Sequence, residues 1–127
     1  MRALDLEKKP DLSSVYSFLL DYVWAYRKGD IDRFLSLFDK NARENGIPIS
    51  KKLKSHEIVF SSVEILRYDI EFKKIQVQDN KAFVKGIFIT SYRKRGSDEL
   101  RRSSGEIRWG LVWNNEGWKI ETLNTLF

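Results

Sequence analysis

Between Gly105 and Asn124 the chain alternates in a way that leaves little choice of structure. Ile107, Trp109, Leu111 and Trp113 share one face at period two, Asn114-Asn115-Glu116-Gly117 supplies residues that tolerate positive φ, and Trp118, Ile120 and Thr122 resume the alternation. This pattern predicts a long β-hairpin. It holds three of the four tryptophans, whose rigid apolar area makes it the expected anchor of the core.

Upstream, the apolar positions recur at helical spacing. Leu12, Val15, Tyr16, Leu19, Tyr22, Val23 and Tyr26 form one stripe, with Asp11 as N-cap and Gly29 as the stop. Asp30 caps a second, short helix that turns Ile31, Phe34, Leu35 and Phe38 inward. Asn45-Gly46 and Pro48 read as turns, with room for a short strand before them. Ser50 is placed to cap a third helix in which Leu53, His56, Glu57 and Phe60 share a face. The period then changes to two. Leu66, Tyr68, Ile70 and Phe72 alternate with charged residues, and the parity flips after Lys73-Lys74, the mark of a β-bulge. Asp79-Asn80 and the Arg95–Glu99 segment close two further hairpins, and the strand between them is apolar on both faces. Three helices followed by four long antiparallel strands make an α+β fold, with the helices packed in the concave face of a strongly bent, mainly antiparallel sheet.

The chain has 127 residues, 42% hydrophobic and 13% aromatic, enough for a single core. A flexible leader over residues 1–10 and one domain over 11–127 are expected. No stretch reaches the length of a membrane span, and the leader, with Arg2, Asp5, Glu7, Lys8 and Lys9, lacks the apolar centre of a signal peptide. The expectation is a cytoplasmic chain, unless it is an excised domain of an exported protein. The absence of cysteine excludes disulfides, thiolate metal sites and cysteine nucleophiles. A net charge of +5 permits an anionic partner without requiring one.

The segments Tyr22-Val23-Trp24-Ala25-Tyr26-Arg27-Lys28-Gly29-Asp30, Leu35-Ser36-Leu37-Phe38, Gly110-Leu111-Val112-Trp113 and Gly117-Trp118-Lys119-Ile120, in this order, resemble the NTF2-like superfamily. That cone-shaped, cystatin-like fold includes nuclear transport factor 2, ketosteroid isomerase, scytalone dehydratase and the SnoaL-like cyclases. The resemblance implies a bacterial, non-catalytic accessory domain that binds a ligand in the cone or a partner on its sheet. It also implies a homodimer through the open sheet face near Lys85, Arg108, Gly110 and Val112. In the isomerase branch a first-helix tyrosine donates to an oxyanion and an aspartate after the second helix moves the proton. Tyr22 falls at the tyrosine position, whereas the place of the base falls near Asn45-Gly46, with Glu44 the nearest acid. An amide or a glycine is no carboxylate base.

Two other readings stand beside this one. A small lyase or isomerase would use Tyr22 as donor and His56, the only histidine, or Glu44 as proton carrier. No second histidine and no assigned carboxylate partner accompany His56 in the sequence. Tyr22, Tyr26, His56, Tyr68, Tyr92, Trp109 and Trp113 are the expected ligand-binding set, a concave apolar wall with polar tips suited to a small hydrophobic molecule. A nucleic-acid or anionic-surface binder would use Arg93-Lys94-Arg95 and Arg101-Arg102, a reading that Asp98 and Glu99 in the same hairpin tip disfavour. No metal or cofactor is expected: Asp39, Glu44 and Glu57 have no recognised ligand spacing, and no glycine-rich phosphate loop is present.

Overall fold

The computed structural model describes residues 9–126, so the expected leader lies outside the described residues except for Lys9 and Pro10. Helix α1 spans Leu12–Lys28 and α2 spans Ile31–Ser36. Strand β1, Phe38–Glu44, and the two-residue β2, Ile47–Pro48, lead through a 3-10 turn at Ile49–Lys51 to α3, Leu53–Ser62. Four long strands follow: β3, Val63–Gln78; β4, Lys81–Lys94; β5, Arg101–Trp113; and β6, Trp118–Leu126. They form one six-stranded sheet in the order β2-β1-β6-β5-β4-β3. Every neighbouring pair is antiparallel except β1 and β6, which run parallel.

Local chemistry sets the ends of α1. The Ser14 amide donates to Asp11 Oδ1 at 2.9 Å and the Asp11 amide donates to Ser14 Oγ at 3.0 Å, a reciprocal capping box. Gly29 ends the helix at φ +66°, a conformation that suits glycine, and its neighbour Asp30 accepts from the Arg33 amide to start α2. The inward stripe of α1 is Val15, Leu19, Tyr22 and Ala25, and Tyr16 and Leu12 lie outside it. Ser50 caps nothing. It sits inside the 3-10 turn, and α3 begins after Lys52 without a side-chain cap.

Bulges decide which side of the sheet each residue meets. The register of β3 against β4 shifts between Phe72 and Lys74, as the parity flip predicts, and again between Ile65 and Arg67. The second shift leaves Leu66 unpaired and 45% exposed while Tyr68 turns into the core. A further shift between β5 and β6 pairs Gly110 with Thr122 but Leu111 with Ile120. Consequently Thr122, expected to continue the inward alternation, faces out and Leu123 faces in. The helices cover one face of the sheet, where Tyr68, Val84, Phe88, Ile107, Trp109 and Leu111 are buried. The other face carries Phe83, 59% exposed, with Ile89 and Arg108.

Candidate functional site

Between the helices and the inner face of the sheet lies a cavity of about 430 Å³. All three α-helices and five of the six strands contribute to it. The first wall comes from α1, where Tyr22 and Tyr26 lie four residues apart on one helical face, and from Phe34 of α2. The sheet supplies Tyr68 from β3, Phe88, Thr90 and Tyr92 from β4, and Ile107 from β5. Helix α3 closes the remaining side with His56, Val59 and Phe60. The rings interlock: Tyr26 stacks on Tyr68 at 4.1 Å between centroids and meets Phe60 edge-on at 5.2 Å.

Glu44 reaches this cavity because β1 runs parallel to β6. That register pairs Glu44 with Leu123, another cavity residue, and turns Ala42 and Glu44 inward together. Asn45 and Gly46, where the isomerase branch would place its base, form an exposed turn at φ +50° and +81°. His56 Nε2 lies 2.5 Å from Glu44 Oε1, and the two side chains are 14% and 12% exposed. The imidazole ring also packs against Phe34 at 5.1 Å. Thus His56 does have a carboxylate partner, which a linear reading misses because the partner stands 12 residues earlier on a strand. The available signal was the inward alternation of Ala42 and Glu44.

Three phenols of the cavity, those of Tyr22, Tyr26 and Tyr68, are donors and not bases. Burial among aromatic rings pushes the Tyr22 hydroxyl well above the ordinary tyrosine range, and the neighbouring Tyr68 and Tyr26 phenols add to the shift. Tyr26 is raised for the same first reason, with the negative charge of Glu44 next. Tyr68 is raised by burial against the opposing effect of its hydrogen bond with Tyr22. These groups stay protonated across the physiological range.

Of the expected ligand-binding set, Tyr22, Tyr26, His56, Tyr68 and Tyr92 share this cavity with Glu44. Trp109 and Trp113 do not line it. Trp109 is 2% exposed behind the wall, edge-on to Tyr22 at 5.5 Å, and its indole N–H has no hydrogen-bond partner. Trp113 packs on Trp118 at 5.3 Å beside a separate surface groove near Ser14 and Asp21. Alternation assigned both rings to the correct sheet face but could not tell which end of that face stays open.

The basic hairpin tip is largely occupied by its own structure. Arg93 pairs with Glu64 at 2.8 Å, Arg101 with Glu99 at 2.7 Å, and Arg95 donates to the carbonyl oxygens of Ser61 and Phe60. Among the described residues no cluster of three or more histidine and acidic side chains is assembled for a metal, and no helix is long and apolar enough to cross a membrane.

No family model and no curated protein matches the chain. Solved structures do. The ketosteroid isomerase-like protein of Erwinia carotovora atroseptica SCRI1043 aligns over 93% of this chain and 96% of its own, with a TM-score of 0.77 at 15% identity. A conserved protein of Planctomyces limnophilus DSM 3776 aligns over 88% and 91%, with 0.79 at 16%. A candidate scytalone dehydratase of Novosphingobium aromaticivorans DSM 12444 aligns over 91% and 84%, with 0.75 at 12%. The chain has the NTF2-like fold, an α+β cone. Its activity has to be argued from the cavity, because this fold hosts unrelated functions.

Proposed function

We propose that residues 11–127 act as one NTF2-like domain that holds a small hydrophobic molecule in the cone, as an accessory binding module. The observation that carries this reading is the open cavity: about 430 Å³, walled mainly by aromatic and aliphatic side chains, with the His56–Glu44 pair and the tyrosine hydroxyls as its polar points. That combination of apolar wall and few placed polar groups is the usual make-up of a small-molecule site. A thermal-shift screen of apolar aromatics, 2-naphthol among them, tests it. Binding to the folded state raises Tm, and Val59→Trp, at a half-exposed wall position, should abolish the shift. A screen with no shifts, or shifts that survive Val59→Trp, would refute the reading.

The second copy of the chain docks on the outer sheet face. Phe83 and Ile89 leave apolar area there, beside a shallow concavity that Lys85, Arg108 and Asn124 border.

The short His56–Glu44 contact favours a second reading, acid–base catalysis. Glu44 would orient the imidazole, His56 would take a proton from a carbon next to a carbonyl, and Tyr22 would donate to the oxygen that gains charge. Deuterium incorporation into a bound cyclic ketone tests it. No exchange above solvent background, or exchange undiminished in His56→Ala, sinks it.

A further inference from the structure

We infer that the molecule held in the cone is a small organic cation, a protonated or quaternary amine carrying an apolar group. The inference rests on the ligand-binding reading above and specifies its chemistry. Its first support is the charge inventory of the wall. Among the described residues no lysine or arginine lines the cavity, although the protein as a whole is basic at +5. The ionisable groups that do line it, apart from the tyrosines, are Glu44 and His56, a single carboxyl beside a single imidazole at 2.5 Å. An anionic ligand would leave water with no fixed cation to receive it. A buried, uncompensated charge is among the most expensive events in a protein interior.

The second support is the shape of the aromatic wall. Tyr26, Phe34 and Phe60 are in contact at 5.2–5.9 Å between centroids, with interplanar angles of 68°, 82° and 83°. Three rings in steeply crossed planes, beside a carboxylate, make the corner of an aromatic cage, and ring faces attract a cation that sits over them. Tyr22 and Tyr68 extend the same wall.

The third support is that part of the wall's hydroxyl inventory is already engaged. Thr90 Oγ1 donates to the Arg67 carbonyl at 2.9 Å, and Thr125 Oγ1 accepts from Asn45 Nδ2 at 3.3 Å. Tyr22 and Tyr68 bond each other. Thr90 and one of the two paired tyrosines therefore have no O–H to spare for an anion. The field of Glu44 acts on the same space, since it contributes to the raised pKa values of Tyr26 and Tyr22.

Calorimetric titration of the full chain at pH 8 with three matched probes tests the inference. Benzyltrimethylammonium is the cation, neopentylbenzene its uncharged isostere, and phenylacetate the anion. The cation should bind at least about tenfold more tightly than the isostere, and the anion should not bind. Glu44→Gln should weaken the cation about fivefold or more and leave the isostere unchanged. Val59→Lys, which sets a positive charge at a half-exposed wall position without disturbing the core, should weaken the cation selectively in the same way. Equal binding of cation and isostere, or tighter binding of the anion, would overturn the inference while the hydrophobic-ligand reading stands. Failure of all three probes would bring down both.

Discussion

The two ends of the cone use the same class of side chain to opposite effect. At the tryptophan end, Trp109 packs against Tyr22 and Phe72, Trp113 against Trp118, and the Trp118 indole donates to Ser14 Oγ at 2.9 Å, tying the terminal hairpin to the start of α1. At the tyrosine end, Tyr22, Tyr26, Tyr68 and Tyr92 face a space of about 430 Å³. Aromatic content does not distinguish the two ends. What differs is the element opposite the sheet. Trp113 and Trp118 lie against the first turns of the 17-residue α1, whereas the tyrosines share their space with the shorter α3, whose Phe60 meets Tyr26 and whose Val59 is 42% exposed. The tryptophan end is therefore packed and the tyrosine end open, the contrast on which the proposed binding role rests.

The largest effect should come from breaking the filled end. Trp109→Ala should lower stability by about 3–5 kcal/mol in chemical denaturation, against less than about 1 kcal/mol for Val59→Ala at the rim of the open end. Equal losses would erase the contrast. Tyr68→Phe sits between the two, removing the hydroxyl that partners Tyr22, and should cost about 1–2 kcal/mol.

The pH dependence of the tyrosine end follows from its raised phenol pKa values. The unfolded phenols ionise at the ordinary value of about 10, whereas burial keeps Tyr22, Tyr26 and Tyr68 protonated above it in the folded state. Their contribution to stability is fully present below pH 10 and is lost as pH rises from there towards the folded values. Denaturation midpoints should fall from pH 10 to 12 more steeply in the wild type than in Tyr68→Phe. Parallel curves would contradict the assignment.

Asp11→Ala, which removes the cap of α1 but touches neither set of rings, should cost about 1 kcal/mol. The smallest effect on unfolding belongs to the outer face. Phe83→Ser should change monomer stability by less than about 0.5 kcal/mol yet shift the sedimentation equilibrium from dimer to monomer. A chain that is monomeric before the substitution would remove the proposed dimer.

The contrast between the two ends also marks how far the sequence can be read. Both ends of α1 were legible because Asp11, Gly29 and Asp30 act within their own turn, and the bulge after Phe72 was legible because it flips a visible parity. The bulge at Leu66 and the shift near Glu121 were not. Each lies where apolar and polar residues still alternate passably in either register, so pairing with a distant strand makes the choice. The site divides similarly. Four tyrosines and His56 declared their faces through periodicity, while the contact of His56 with Glu44 depends on β1 lying parallel to β6, a long-range pairing with no local signature. The placing of Trp109 and Trp113 failed for a related reason: a face is encoded locally, but an opening depends on what lies across from it.

Side-chain NMR spectra of the protein titrated with a neutral aromatic such as 2-naphthol test the division directly. The account predicts shifts confined to the rings that line the cavity, Tyr22, Tyr26, Phe34, His56, Phe60, Tyr68, Phe88 and Tyr92, with the indole N–H signals of Trp113 and Trp118 unmoved. Shifts centred on those indoles, or none at saturating ligand, would contradict it.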